Sequence, residues 1–300
     1  MRDRDLWNLL RQAWTALGSH YEPVIETITE ESGLEARGWS LLIAARTFEP
    51  DDTSVPHLMV QGPYTATEQY LNRLNAATRL GYLVEVSTGS FHLTPSGSAL
   101  TDNFIEKVRA AMDSADPLSR KESKQLSDLL TRLVEKSLNN PAPPDTWAIR
   151  HSYKLMPEPN PPLPFIEQAI SCLAAYRDDA HLAAWRKSGL TATAFEALTL
   201  LWRNQANSLD GIYNKLFFRG HSTQVYLDAV TELKSHNFVT GPTRILHVTE
   251  AGRSYRDQVE DDTDRYFFAP WSCLDDSEKN ELESILTNLR DNLKTIGISK

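Results

Sequence analysis

Apolar residues recur at helical spacing along most of the 300-residue chain. Leu6, Leu9, Leu10, Trp14 and Leu17 follow an i, i+3, i+4 pattern near the start, and Phe165, Ile166, Ile170, Leu173 and Ala174 do so past the middle. Each set predicts a long amphipathic helix. After each comes the same series: a helix (34–47 and 190–203), a short helix (54–61 and 208–217), a third helix (66–80 and 222–236) and a two-stranded hairpin. Closing helices are predicted over 97–112 and 120–138, then over 250–265 and 275–295.

The series recurs because the residues do. Ser32-Gly33-Leu34 returns 156 residues later as Ser188-Gly189-Leu190, and Thr65 to Leu71 lies over His221 to Leu227 at the same spacing. Gly81-Tyr82-Leu83-Val84 faces Asn237-Phe238-Val239-Thr240, and Phe91 to Gly97 faces Leu246 to Gly252 after a one-residue deletion. Four blocks in one order at nearly one spacing point to a duplicated unit. Between the copies stand Pro141, Pro143 and Pro144, then Pro157, Pro159, Pro161, Pro162 and Pro164. Proline fixes φ and removes a donor, which predicts an extended connector. The expected organisation is unit 1 over 1–140, a Pro-rich linker over 141–162 and unit 2 over 163–300, with Trp147–Leu155 a short helix or strand packed on a domain.

Within each unit, Thr65 with Glu68 three positions on reads as a capping box for the third helix, and Ser222 or Thr223 caps its counterpart. Tyr70, Leu71, Leu74 and Ala77 match Tyr226, Leu227, Val230 and Leu233 as one buried stripe, which stops at Gly81 or Asn237, residues that tolerate a left-handed C-cap. At these residues the chain resembles the MarR family of winged-helix transcription regulators. That family's motif runs from a recognition helix through a Gly-Leu-Val-like turn and a wing to a Leu-Thr-x-x-Gly. Here that last element stands as Leu93-Thr94-Pro95-Ser96-Gly97 and Val248-Thr249-Glu250-Ala251-Gly252. The resemblance implies a mainly α fold with small β-wings, a tandem winged helix-turn-helix with long flanking dimerisation-type helices. Since members of that family usually dimerise, it also implies an intramolecular pseudo-dimer in one monomeric chain.

Composition narrows the function. With 41% hydrophobic residues the chain fills its cores without staples, and two cysteines, Cys172 and Cys273, exclude a disulfide scaffold or a Cys-rich zinc site. No apolar run reaches the ~20 residues of a membrane span, and a cytoplasmic protein is expected. The net charge of −9 argues against indiscriminate nucleic-acid binding. Residues 33–97 carry four Arg and no Lys against six acids; residues 189–252 carry five of each sign. The family's wing arginine has no counterpart: the matching positions hold Glu85-Val86-Ser87 and Thr240-Gly241-Pro242, with only Arg244 near a tip.

The residues expected to face double-stranded DNA are Thr67, Asn72, Arg73 and Arg79 in the first unit. Thr223, Gln224, Lys234 and Arg244 do so in the second, backed by Lys215 and Arg219, with half-sites about one helical turn (~34 Å) apart. Asp228 and Glu232 are expected near phosphates, where they weaken binding. Trp7, Trp14, Trp39, Trp185 and Trp202 either fill the interface between halves or line a pocket for a small hydrophobic or aromatic ligand. No HExxH, Cys-x-x-Cys, Gly-rich phosphate loop or nucleophile elbow occurs, so no metal, cofactor or enzymatic activity is expected. Asp178-Asp179-Ala180-His181 reads as a helix end, Asp261-Asp262 with Asp264 as a solvated acidic helix end, and His92 and His247 as a repeated structural pair. The leading function is a ligand-responsive transcriptional regulator. The alternative is a winged-helix protein that has lost DNA binding and serves as a small-molecule-binding or protein-interaction module.

Overall fold

The aliphatic stripe on α1 (Asp3–Ser32) is buried against α13 (Asp276–Ile298), which joins the two ends of the chain. In the same way the nearly all-apolar α8 (Pro162–Trp185) is buried between α6 (Arg120–Leu138) and α12 (Glu250–Phe268). Together with the end of α5 (Pro95–Asp113), these helices share one core that includes Leu10, Leu17, Leu130, Ile166, Leu173 and Leu286. The structure is a computed structural model that describes residues 3–35 and 38–298; positions 36 and 37 of the first expected helix lie outside it.

Two smaller cores hang from this scaffold. The first is built by α2 (Gly38–Phe48), β1 (Thr53–Ser54), α3 (Val55–Gln61), α4 (Thr67–Arg79), β2 (Leu83–Ser87) and β3 (Ser90–Leu93) around Leu42, Phe48, Leu74 and Phe91. The second is built by α9 (Ala192–Trp202), α10 (Leu209–Leu216), α11 (Thr223–Ser235), β4 (Val239–Thr240) and β5 (His247–Val248) around Phe195, Leu198, Tyr226 and Leu233. In the first lobe the antiparallel strand order is β1-β3-β2; in the second, β4 pairs with β5 alone. Strand β1, two residues long, had no signal in the sequence.

The same local bonds close both hairpins. Gly81 and Asn237 take left-handed conformations (φ 78° and 57°) at the end of α4 and α11. Thr94 Oγ1 accepts from Gly97 N at 3.0 Å and donates to the Gly81 carbonyl at 2.6 Å; Thr249 makes the matching bonds to Gly252 and Asn237 at the same distances. The threonine thus caps the next helix and ties the strand back to the previous one. The glycine is there for space: a Cβ at Gly97 would lie 2.0 Å from the Tyr82 carbonyl oxygen, and one at Gly252 would lie 2.2 Å from that of Phe238.

Several expectations need correction. The capping box is not formed: the N-cap of α4 is Ala66, and Thr65, one residue earlier, is buried and accepts from Arg219 of the other lobe. The connector is not extended throughout. Pro162 starts α8, where a missing N–H costs nothing, and residues 148–153 form a helix, α7 (Ala148–Tyr153). Asp179 holds α7 in place: its carboxylate accepts from the N–H groups of Trp147, Ala148 and Ile149 at 3.1, 2.8 and 3.0 Å. The acidic stretch of α12 is solvated only at Asp261: Asp264 binds Arg4 and Arg177, Asp262 binds Arg265, and Glu260 before them binds Arg256. His92 pairs with Asp52, whereas His247 is exposed, so the two histidines do not share a role.

Gly97→Ala and Gly252→Ala should each lower stability by about 1–3 kcal/mol, because the new methyl collides with a fixed carbonyl. Gly18→Ala, whose Cβ would meet nothing closer than 3.8 Å inside a helix, is the control and should be neutral or stabilising in denaturant unfolding.

Candidate functional site

The outer faces of α4 and α11 are open. Thr67, Asn72 and Arg79 are exposed on α4 and Arg73 is half-buried; Thr223, Gln224 and Lys234 are exposed on α11. Lys215 is exposed on α10 and Arg244 at the second hairpin tip. Gln224 is held by Asp228 at 2.9 Å. Glu232 does not face outward as expected: it turns back to cap α9, accepting from Thr191 N at 2.8 Å and Thr191 Oγ1 at 2.6 Å. The first hairpin presents Val84 and Val86, 45% and 53% exposed, with no basic residue.

The turns that precede α4 and α11 meet each other. Ala66 N donates to the Arg219 carbonyl at 2.9 Å, and His221 Nε2 donates to the Tyr64 carbonyl at 3.0 Å. The Arg219 side chain is committed inside this clasp. It pairs with Glu196 at 2.6 Å, reaches Thr65, and lies over the rings of Phe218 and Tyr64. Gly220, at φ +79°, lets the chain pass within van der Waals reach of Gln69. Each 13-residue helix is ~20 Å long, and the chain from Arg219 to Thr223 spans at most ~14 Å. The helix midpoints therefore reach the ~34 Å of one DNA turn only if helices and loop run out almost straight.

Beneath the clasp, α1, α8, α9 and α12 enclose a cavity of about 430 Å³. Trp7, Trp14, Tyr64 and Phe195 supply aromatic walls, but the rest is charged: Arg11, Arg177, Asp178, His181, Glu196, Arg203, Arg256 and Glu260. Arg256, 1% exposed, is held by Glu260 at 2.6 Å and donates to Thr199 at 3.0 Å. Asp178 is exposed on the cavity, and the protein crowded around it, with Asp179 beside it, pushes its carboxyl up to about 6. Burial, reinforced by the Arg256 charge, pushes His181 down to about 4.

A second cavity, of about 240 Å³, occupies the matching place in the other half. Tyr21, Ile25, Trp39 and Ile43 line it where Arg177, His181, Phe195 and Thr199 stand in the first, 156 residues later; Ile105 and Val108 stand for Glu260 and Thr263 at a spacing of 155. One site is therefore mostly apolar, with Arg109 and Glu167 as its charged residues, and its counterpart is charged. Trp14 lines both, with its Nε1 donating to the buried Glu167 at 3.0 Å.

The expected aromatic residues thus divide. Trp7 and Trp14 line the charged cavity and Trp39 the apolar one, where it stacks on Phe104. Trp185 is buried against Phe195, and Trp202 donates to Asp257 and lies under Arg256. The charged cavity residues were missed as a set, although Asp178, Asp179 and His181 interrupting an apolar helix were a local signal for it. Among the described residues, no group of three or more His, Cys, Asp or Glu is placed to hold a metal, and no helix is long and apolar enough to cross a membrane.

Short helices packed around an exposed third helix, closed by a hairpin, define a helix-turn-helix protein. The chain belongs to a helix-turn-helix family, whose model matches residues 98–299. No curated protein and no solved structure matches it. The family membership points to a DNA-binding regulator rather than an enzyme.

Arg219→Ala should cost about 1–3 kcal/mol by leaving buried Glu196 without its partner. Arg219→Ala with Glu196→Gln should recover part of that loss in a double-mutant cycle; additive effects would show that the pair does not hold the clasp. Stability should also report the two shifted groups. Asp178 keeps its proton to about pH 6 when folded but only to about 3.8 when unfolded, so its contribution falls as pH rises between them. His181 sheds its proton near 4 when folded and 6.5 when unfolded, so its contribution rises over nearly the same range. Asp178→Asn should therefore make Tm climb more steeply between pH 4 and 6.5 than in the parent protein.

Proposed function

We propose that the chain is a ligand-responsive transcriptional regulator of MarR-like type, acting as an intramolecular pseudo-dimer of two winged units. The repeated bonds of Thr94 with Gly97 and Thr249 with Gly252, at equal distances in both lobes, carry this reading. They support two copies of one unit, each presenting one exposed helix. In this reading Thr67, Asn72, Arg73 and Arg79 meet one half-site, and Thr223, Gln224, Lys234 and Arg244 the other, with Lys215 behind them. The open amide of Asn72 and the guanidinium of Arg73 suit base edges, and Arg79 and Lys234 suit phosphates. Across the clasp the two helix midpoints span two successive major grooves only with helices and loop almost straight, so in this reading DNA binding goes with opening of the clasp. A ligand in either cavity shifts that equilibrium by favouring one arrangement of the lobes over the other.

A second reading, a winged-helix protein without DNA binding, is favoured by the −2 balance over residues 33–97 and the absence of a wing arginine. A gel shift with DNA upstream of the protein's own gene, at 50 and 200 mM salt, separates the two. The regulator should show a specific complex that weakens at least tenfold at the higher salt. Arg73→Ala should weaken it by a further ~5–150-fold, the ~1–3 kcal/mol of a base contact. His221→Ala, which loosens the clasp, should tighten it. No complex at the lower salt would leave the second reading.

A further inference from the structure

The charged cavity is unusual because its groups do not satisfy one another. Arg177 pairs with Asp264 at 2.9 Å, Arg256 with Glu260 at 2.6 Å, and Glu196 Oε1 with Arg219 at 2.6 Å. Arg11, Arg203 and Asp178 line the same space but are exposed, and their side chains make no hydrogen bond or ion pair to any described residue, which leaves them to water or to an occupant. Buried atoms of the wall also lack a hydrogen-bond partner: the donor Trp7 Nε1, the Tyr64 hydroxyl and the acceptor Glu196 Oε2, while Arg256 Nη1 has only its ion pair with Glu260. Unmade bonds at such buried atoms cost stability, and the other half places Ile25, Ile43 and Ile105 where His181, Thr199 and Glu260 stand here. The same scaffold thus accepts an apolar lining, and the charged one serves something other than folding.

The unmade bonds have both signs. A simple anion would satisfy Arg11 and Arg203 but face Asp178 and the free oxygen of Glu196; a simple cation would have the reverse mismatch. A group of each sign on one molecule meets both, and the indole rings of Trp7 and Trp14 suit an apolar or planar body. A volume of about 430 Å³ lies in the range of small-molecule sites.

We infer that this cavity binds a small zwitterion of the amino-acid class, its anionic group on Arg11 and Arg203 and its ammonium on Asp178 and Glu196 Oε2, with an apolar or aromatic side chain against Trp7 and Trp14. The inference rests on the ligand-responsive reading above and gives its ligand a class. Glu196 and Tyr64 belong to the cavity wall and to the clasp alike, so an occupant touches the contact that sets the lobes.

Calorimetric titration of the full chain with L-phenylalanine, L-tryptophan and L-leucine tests the inference. Phenethylamine, which lacks the carboxylate, and 3-phenylpropanoate, which lacks the ammonium, serve as matched probes. At least one amino acid should bind saturably, and each single-charge analogue at least tenfold more weakly. Asp178→Asn should weaken the amino acid tenfold or more and leave 3-phenylpropanoate unchanged, while Arg203→Gln should weaken both. Both side chains are exposed and unpaired, so neither change threatens the fold, and a single cooperative unfolding transition above the titration temperature confirms this. No saturable binding up to millimolar concentration, or analogues binding as tightly as the amino acids, would overturn the inference. DNA is absent from this titration: binding without a gel shift upholds the site and removes the regulator, and a gel shift without binding does the opposite.

Discussion

The arrangement depends on a layer of aliphatic side chains that neither half of the chain buries alone. The stripe of α1, with Leu6, Leu10 and Leu17, is covered by α13 from the far end of the sequence, and Ile166, Ile170 and Leu173 of α8 lie in the same core as Leu126, Leu130 and Leu133 of α6. Each such side chain gains ~1.5–3 kcal/mol when taken out of water, so separating the halves would expose a surface far costlier than any single contact. Polar bonds fix the register of these helices. Lys279 pairs with Asp3 at 2.7 Å, and His20 Nε2 donates to the Leu293 carbonyl at 3.1 Å. With the scaffold fixed, each lobe has only one place to hang. The family match begins inside α5 and runs through α13, so it includes the second lobe but not α1, the helix that covers α13.

What could be read from the sequence was local. Helices α4 and α11 follow from a 3.6-residue stripe ended by Gly81 and Asn237, and they run over 67–79 and 223–235 against the expected 66–80 and 222–236. The Thr-x-x-Gly elements were marked by the repeat and by the family resemblance, and the structure makes each threonine a cap. Features that depend on distant residues were not. Thr65 has the composition of a capping residue, but Arg219, 154 positions away, takes its oxygen. Glu232 was assigned outward by helical phase, and Thr191 draws it inward. Prolines that looked like a break start α8 instead, since the first turn of a helix does not need their missing donors. The charged cavity gathers residues from four helices, and periodicity within one helix says nothing about which faces meet.

The clasp and the cavity are parts of one structure. Arg219 lies over Tyr64 and pairs with Glu196, and both of those side chains wall the cavity beneath. A charge held at that point is shielded from water on most sides, so its neighbours feel it strongly. Trp14, standing between the charged and the apolar cavity, adds a rigid ring to both walls. Trp39 and Ile43 of the first lobe wall one space and Tyr64 walls the other, so movement of that lobe against the scaffold changes both.

The difference between the two cavities has a consequence for stoichiometry. Two identical subunits related by a two-fold axis present every site twice, so whatever suits one half must suit the other. Here His181 stands opposite Ile25, Thr199 opposite Ile43 and Glu260 opposite Ile105 within one polypeptide. A molecule that fits one side has no second berth on the other, and a single occupant tilts the assembly from one flank. Such an unsymmetrical response is closed to a homodimer unless its subunits first become unequal.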